Sequence, residues 1–265
     1  MSGEIHLKAD LAPSSRTKAV PKELSTPFFY APSDDGTDEN LLVFLHGLGD
    51  THLPFAKLGR QLKLPQTAVL ALQAPEKIPF LYEEAYQWYT SFDPLGELIE
   101  RPNPSAAIDL LSDVLKHLIE VCSWPSDKIH LFGFAQGGTV ALELAIQFWK
   151  NQINAKSSKS SSLSLGSIVT ISGPLLSYPT LPTPSPTPIL AVYRPPPADP
   201  SLSGGDLTAL KKGFNTVKEV KLQSRGPGMP SSKDEWEPIM RFWSERLSRR
   251  QVDGVYEVMS GLGPR

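Results

Sequence analysis

Short apolar runs alternate along this chain with longer stretches in which apolar residues recur every three to four positions. The runs at 41–46 (Leu-Leu-Val-Phe-Leu-His), 67–72, 128–132, 167–172 and 188–192 read as strands, with a further strand at 217–222. Continuous apolar runs of this length suit strands buried on both faces of a sheet. Helical spacing predicts helices at about 52–63 (Leu53, Phe55, Leu58, Leu62) and from Ser105 onward (Ile108, Leu111, Val114, Leu115, Leu118, Ile119), then at 137–150, 207–214 and 233–247. Strands alternating with helices imply right-handed βαβ units. The predicted fold class is α/β, a mainly parallel, doubly wound sheet with helices on both faces.

The connections carry their own signals. Residues 76–104 form a long segment rich in aromatics (Phe80, Tyr82, Tyr86, Trp88, Tyr89, Phe92), and so long a connection is usually functional or disordered. Its aromatic content argues against disorder. Residues 151–165, with Lys-Ser-Ser-Lys-Ser-Ser-Ser, read as a flexible insertion. Proline concentrates in the connection 178–187, and a C-terminal arm at 249–265 follows a charged break. One domain over 1–265 is expected, with its core at about 38–248.

Composition narrows the function classes. The hydrophobic share of 40% and charged share of 20% are ordinary for a globular protein. A net charge of −2 gives no electrostatic case for nucleic acid or an anionic membrane. The one cysteine, Cys122, excludes an intramolecular disulfide and a cysteine-based zinc cluster, and reads as a buried small hydrophobe. No secretory signal and no run of about 18 apolar residues is visible, so the expected location is cytoplasmic, with the nucleus open. No His and carboxylate cluster shows metal-ligand spacing, and no metal or cofactor is expected.

Two glycine-rich turns carry the chemistry. The first, His46-Gly47-Leu48-Gly49-Asp50, follows the early strand. The second, Gly133-Phe134-Ala135-Gln136-Gly137-Gly138, leads from a strand into a helix. A G-x-S-x-G turn of that kind is tight and strained, and it presents its central side chain at a helix N-terminus where backbone N–H groups stabilise an oxyanion. Each turn alone is a weak signal; together, in this order, they are strong. With Gln87-Trp88-Tyr89 and Ser91-Phe92-Asp93, they make the chain resemble the α/β-hydrolase fold, and within it the carboxylesterase and acyl-protein thioesterase family, over roughly 41–247. The resemblance implies a serine hydrolase of acyl esters or thioesters without a cofactor. It also implies an oxyanion hole from the N–H groups of Leu48 and Gln136, and a pocket formed by His46, Gly47, Trp88, Tyr89 and Phe92.

The departures from that family matter more than the match. Position 135 is alanine, so no acyl-enzyme can form there. The triad of this fold runs Ser, Asp, His along the chain. All five histidines (His6, His46, His52, His117, His130) precede residue 135, and the window 225–230, where the resemblance places the histidine, holds none. After the strand at 188–192 stands Tyr-Arg-Pro-Pro-Pro-Ala-Asp, in which Asp199 is a candidate remnant acid. Three departures in one triad favour a natural pseudo-esterase over a single introduced substitution. Such a protein would bind an acyl-type small molecule or a protein partner, the latter through the Pro-rich connection or the C-terminal arm. An esterase or thioesterase with an unrecognised nucleophile and a scaffold subunit are the alternatives.

Individual residues also have plain structural readings. His46 reads as a hydrogen-bonding residue of its turn, His130 as a satisfied core histidine, His6 as solvated, and His52 and His117 as helix residues, His52 near the pocket mouth. Asp50 reads as a helix cap. Ser172 has no nameable base. The aromatic segment 80–92 reads equally as core and as pocket lining. The Pro-rich connection reads as a stiff link between strands.

Overall fold

The computed structural model describes residues 17–79, 82–154, 164–195, 201–222 and 228–250. In chain order these hold strands β1 (Phe28–Ala31) and β2 (Asn40–Leu45), helix α1 (His52–Leu62), strands β3 (Thr67–Leu72), β4 (Glu76–Lys77) and β5 (Tyr86–Gln87), and helix α2 (Ser105–Glu120). They continue with strand β6 (Ile129–Phe134), helix α3 (Gln136–Asn154), strands β7 (Ser167–Ile171) and β8 (Ile189–Tyr193), helix α4 (Gly204–Gly213), strand β9 (Val217–Lys221) and helix α5 (Lys233–Arg246). Seven strands form one sheet in the order β1-β3-β2-β6-β7-β8-β9, parallel throughout except for β1. This is the expected α/β-hydrolase architecture.

The wholly buried strands β2 and β3 and the nearly buried β6 explain the unbroken apolar runs: one face of each meets α2 and α3, the other α1 and α5. Leu41, Val43 and Leu45 fall in one cluster with Leu111 and Leu144, while Leu42 and Phe44 fall in the other with Phe55 and Trp243. Alternation of side chains across the pleat produces that division. Phe132 joins four aromatic pairs on the second face, lying 6.0 Å from the stacked Trp236 ring. Among the described residues no helix is long and apolar enough to cross a membrane.

Several sequence expectations are corrected here. The sheet starts ahead of residue 38, because Phe28–Ala31 pairs antiparallel with β3. Its Phe-Phe-Tyr-Ala run lies between Pro27 and Pro32. Helix α3 continues to Asn154, so residues 151–154 belong to it, and Leu165 is buried; of the expected insertion only 155–163 lies outside the described residues. Helix α4 begins at Gly204, three residues early, because Ser203 and Asp206 form a reciprocal capping box. The Pro-rich connection is fastened down: Ser185 N–H donates to Gly213 O, Asn215 N–H donates to Ser185 O, and Trp149 Nε1 donates to Thr183 O. The arm beyond Arg250 lies outside the described residues.

Candidate functional site

The carboxyl ends of β2 and β6 lie side by side, and the two glycine-rich turns leave the sheet there. Ala135 connects β6 to α3 at φ +48°, a left-handed conformation that an L-residue adopts at a cost of order 1 kcal/mol. Its N–H donates to Ile171 O and its carbonyl accepts the Thr139 N–H, so both ends of the strained residue are bonded. The flanking glycines are required by close approach. A Cβ on Gly133 would collide with the backbone of Gly137 and Gly138, and one on Gly137 with the carbonyl of Leu45. The turn therefore has the shape of a nucleophile elbow, with a methyl group at its apex.

Gln136, the first residue of α3, uses its side chain in a way the sequence reading missed. Its Oε1 accepts the Trp88 N–H at 2.9 Å, while Nε2 donates to Tyr89 O at 2.9 Å and to Ser91 Oγ at 2.7 Å. Trp88 Nε1 in turn donates to His46 O at 2.8 Å. The aromatic segment is thereby buttoned to the elbow and to the turn after β2. A polar residue directly after the apex, at a position destined for burial, was the available signal.

His46 is completely buried and works as a fastening for its turn. Its Nδ1 donates to Gly47 O at 2.7 Å, and its Nε2 accepts the Ala74 N–H at 3.0 Å and the Gln73 Nε2 amide at 3.3 Å. Gln73 Oε1 takes both the backbone N–H and Nδ1 of His52. Burial lowers the His46 pKa, which agrees with a neutral ring. With both ring nitrogens engaged and no access to solvent, His46 has no free lone pair for base catalysis. Of the residues expected as pocket lining, His46 and Trp88 are fully buried, Tyr89 is nearly buried, and Phe92 is exposed.

The remaining candidates separate clearly. Among the described residues, no protein group takes the N–H of Leu48 or of Gln136, and Leu48 is partly exposed beside Gly49, whose N–H donates to Tyr86 O. Asp50 does not cap α1, whose N-cap is Thr51; its carboxylate accepts the Thr51 N–H. Among the described residues His130 is half satisfied: Nδ1 pairs with Ser167 Oγ at 2.8 Å while the buried Nε2 has no partner there. The buried Nε2 of His117 likewise has no partner among the described residues. Ser172 is buried at φ +55° with its N–H on Val192 O, and no histidine bonds to it. Burial raises the Cys122 thiol pKa. His6 and Asp199 lie outside the described residues. No group of three or more His, Cys, Asp or Glu among the described residues could hold a metal ion.

Where a triad would keep its acid, immediately after β8, stands Arg194. Its Nη1 donates to Glu235 Oε1 at 2.8 Å, reaching the first turn of α5. Glu235 Oε2 also accepts the Ser231 N–H, and the Arg194 bond foremost lowers the Glu235 pKa.

Comparison with known proteins agrees with this architecture. The phospholipase/carboxylesterase family model matches residues 30–194, stopping before the window where that family's histidine is expected. The chain is 39% identical over 226 residues to an uncharacterized hydrolase of Mycosarcoma maydis, covering 84% of this chain and 82% of that one. It is 32% identical over 115 residues to an uncharacterized hydrolase of Schizosaccharomyces pombe, covering 41% and 47%. Among solved structures, esterase PE8 superposes with a TM-score of 0.65 at 23% identity (85% of this chain, 100% of that one). Zea mays acyl-protein thioesterase 2 does so with a TM-score of 0.65 at 22% identity (84% and 100%). At such identities these two speak for the fold alone. The family match extends over more than half of the sequence and takes in both glycine-rich turns, so the chain belongs to the phospholipase/carboxylesterase family.

Proposed function

We propose that this chain is a member of the esterase and thioesterase type of hydrolase that binds without cleaving. The observation that carries this reading is Ala135 at the apex of an intact elbow, in a chain with no histidine after it. A methyl group cannot attack an acyl carbon, and among the described residues no histidine is bonded to a candidate nucleophile. His46 is engaged at both nitrogens, and Glu235 is held as a carboxylate by Arg194. Asp199 is then a remnant acid in a chain with no histidine after Ala135 for it to orient. The N–H groups of Leu48 and Gln136, which no group among the described residues accepts, are suited to a carbonyl or carboxylate oxygen of an acyl-type ligand, and a cytoplasmic setting suits such a binder.

The test compares the protein with Ala135→Ser on a short-chain nitrophenyl ester, with fluorophosphonate labelling alongside. Both proteins should stay far below about 1 per second, the low end of ordinary enzyme turnover. A residual rate on the order of a thousandfold over water is compatible with binding and an oxyanion hole alone. Brisk turnover by the unmodified protein refutes the reading. Brisk turnover by the serine variant alone reveals a hidden base and a disabled esterase.

A further inference from the structure

The segment between the aromatic run and α2 folds into a small hydrogen-bonded hairpin. Its arms are joined by Asp93 N–H to Glu97 O, Gly96 N–H to Asp93 O and Ile99 N–H to Ser91 O, all at 2.9–3.0 Å. The Asp93 carboxylate closes the turn by accepting the N–H groups of Leu95 and Glu97, both at 2.9 Å. At its base Ser91 is bonded to Gln136, so the hairpin stands beside the elbow. This fixed scaffold holds three large apolar side chains in solvent: Phe92 is 47% exposed, Leu95 85% and Leu98 71%. Phe92 and Leu98 are direct cross-strand partners, and Leu95 is at the turn between them.

Single exposed apolar residues are ordinary, but three on one preorganised hairpin form an interaction surface. The charge around them selects the partner. Glu97 and Glu100 are exposed beside the leucines and enter no ion pair among the described residues; the half-buried Asp93 adds a third acid, and Arg101 follows them. An apolar ridge with acidic flanks complements a segment that combines apolar anchors with lysine or arginine, and it is repelled by an anionic bilayer.

We propose that the 91–100 hairpin docks a cationic, amphipathic protein segment next to the elbow. This rests on the non-catalytic reading only in supposing that the elbow region serves binding. Because the scaffold is already ordered, docking costs little conformational entropy on this side of the interface.

The experiment titrates the full chain against a fluorescein-labelled 12-residue peptide of alternating leucine and lysine. A matched leucine and glutamate peptide and vesicles of phosphatidylcholine, with or without phosphatidylserine, serve as comparisons. The lysine peptide should bind with an affinity that falls as salt rises. Glu97→Lys with Glu100→Lys, and separately Leu95→Ser with Leu98→Ser, should each weaken it by about tenfold or more while thermal unfolding stays unchanged. No binding, equal binding of the glutamate peptide, indifference to both double variants, or preferential vesicle binding through Leu95 and Leu98 overturns the proposal. Peptide failure with background ester turnover removes this surface alone. Fast turnover by the unmodified protein removes the non-catalytic reading and leaves the peptide result to be judged by itself.

Discussion

Arg194 and Glu235 reverse the polarity expected where they stand. The loop after β8 supplies a cation in place of an acid, and the start of α5 supplies an anion just beyond the histidine window. With side chains 3% and 16% exposed, this is the most sheltered ion pair among the described residues. It ties together the same two segments that an acid–histidine hydrogen bond would join. Neither group is suited to moving protons near neutrality: a guanidinium does not deprotonate, and Arg194 holds the Glu235 carboxyl below the ordinary carboxylate range.

Removing one partner of this pair strands the other. Glu235→Leu should cost about 3 kcal/mol, because Arg194 would remain buried, with Nε already lacking a partner among the described residues. Adding Arg194→Met should recover much of that loss, since paired replacement of a buried ion pair by apolar residues is often close to neutral. Urea denaturation of both single variants and the double variant checks this. A double variant no more stable than Glu235→Leu contradicts it.

Acid should destabilise this protein through His130. Burial lowers its pKa to about 3 from an ordinary value near 6.5, so the unfolded chain binds the proton first. The stability contributed by the neutral ring is complete above about pH 6.5 and declines as pH falls toward 3. Its full extent is on the order of 5 kcal/mol. His46, shifted in the same direction by burial, adds to the trend. Denaturation midpoints measured from pH 7.5 to 4 should fall for the parent protein and fall less for His130→Gln.

Gln136 should prove to be a structural keystone of the loop it grips. Gln136→Ala removes three hydrogen bonds and leaves the buried Trp88 N–H unpaired, at a cost of about 2–3 kcal/mol. Amide hydrogen exchange should rise in 88–91, with a weaker effect on 46–48 through the Trp88–His46 bond. Unchanged exchange in 88–91 would show that packing alone holds the segment.

Sequence reading located most of the sheet because burial on both faces writes itself as uninterrupted apolar residues, as in β2, β3 and β6. It failed where the local signal was diluted. Strand β1 has only four residues, and prolines flank it. Two glycines masked the start of α4, although Ser203 and Asp206 announced the cap. The elbow and the missing triad members were legible as letters. The depth of His46 and Trp88 was not, because a turn's sequence does not reveal which loop will cover it. The Gln136 side-chain bonds and the Arg194–Glu235 pair join residues more than 40 positions apart, and no local pattern encodes them.

The apex alanine still sits at φ +48°, although it has no hydroxyl to aim. Its conformation is imposed by bonds to Ile171 and Thr139 and by glycines that leave the turn no room to unwind. Alanine at the apex therefore leaves the strained main chain of the turn in place. This turn differs from a G-x-S-x-G turn by one hydroxyl at its centre, and a designer wishing to install new chemistry would inherit a finished socket.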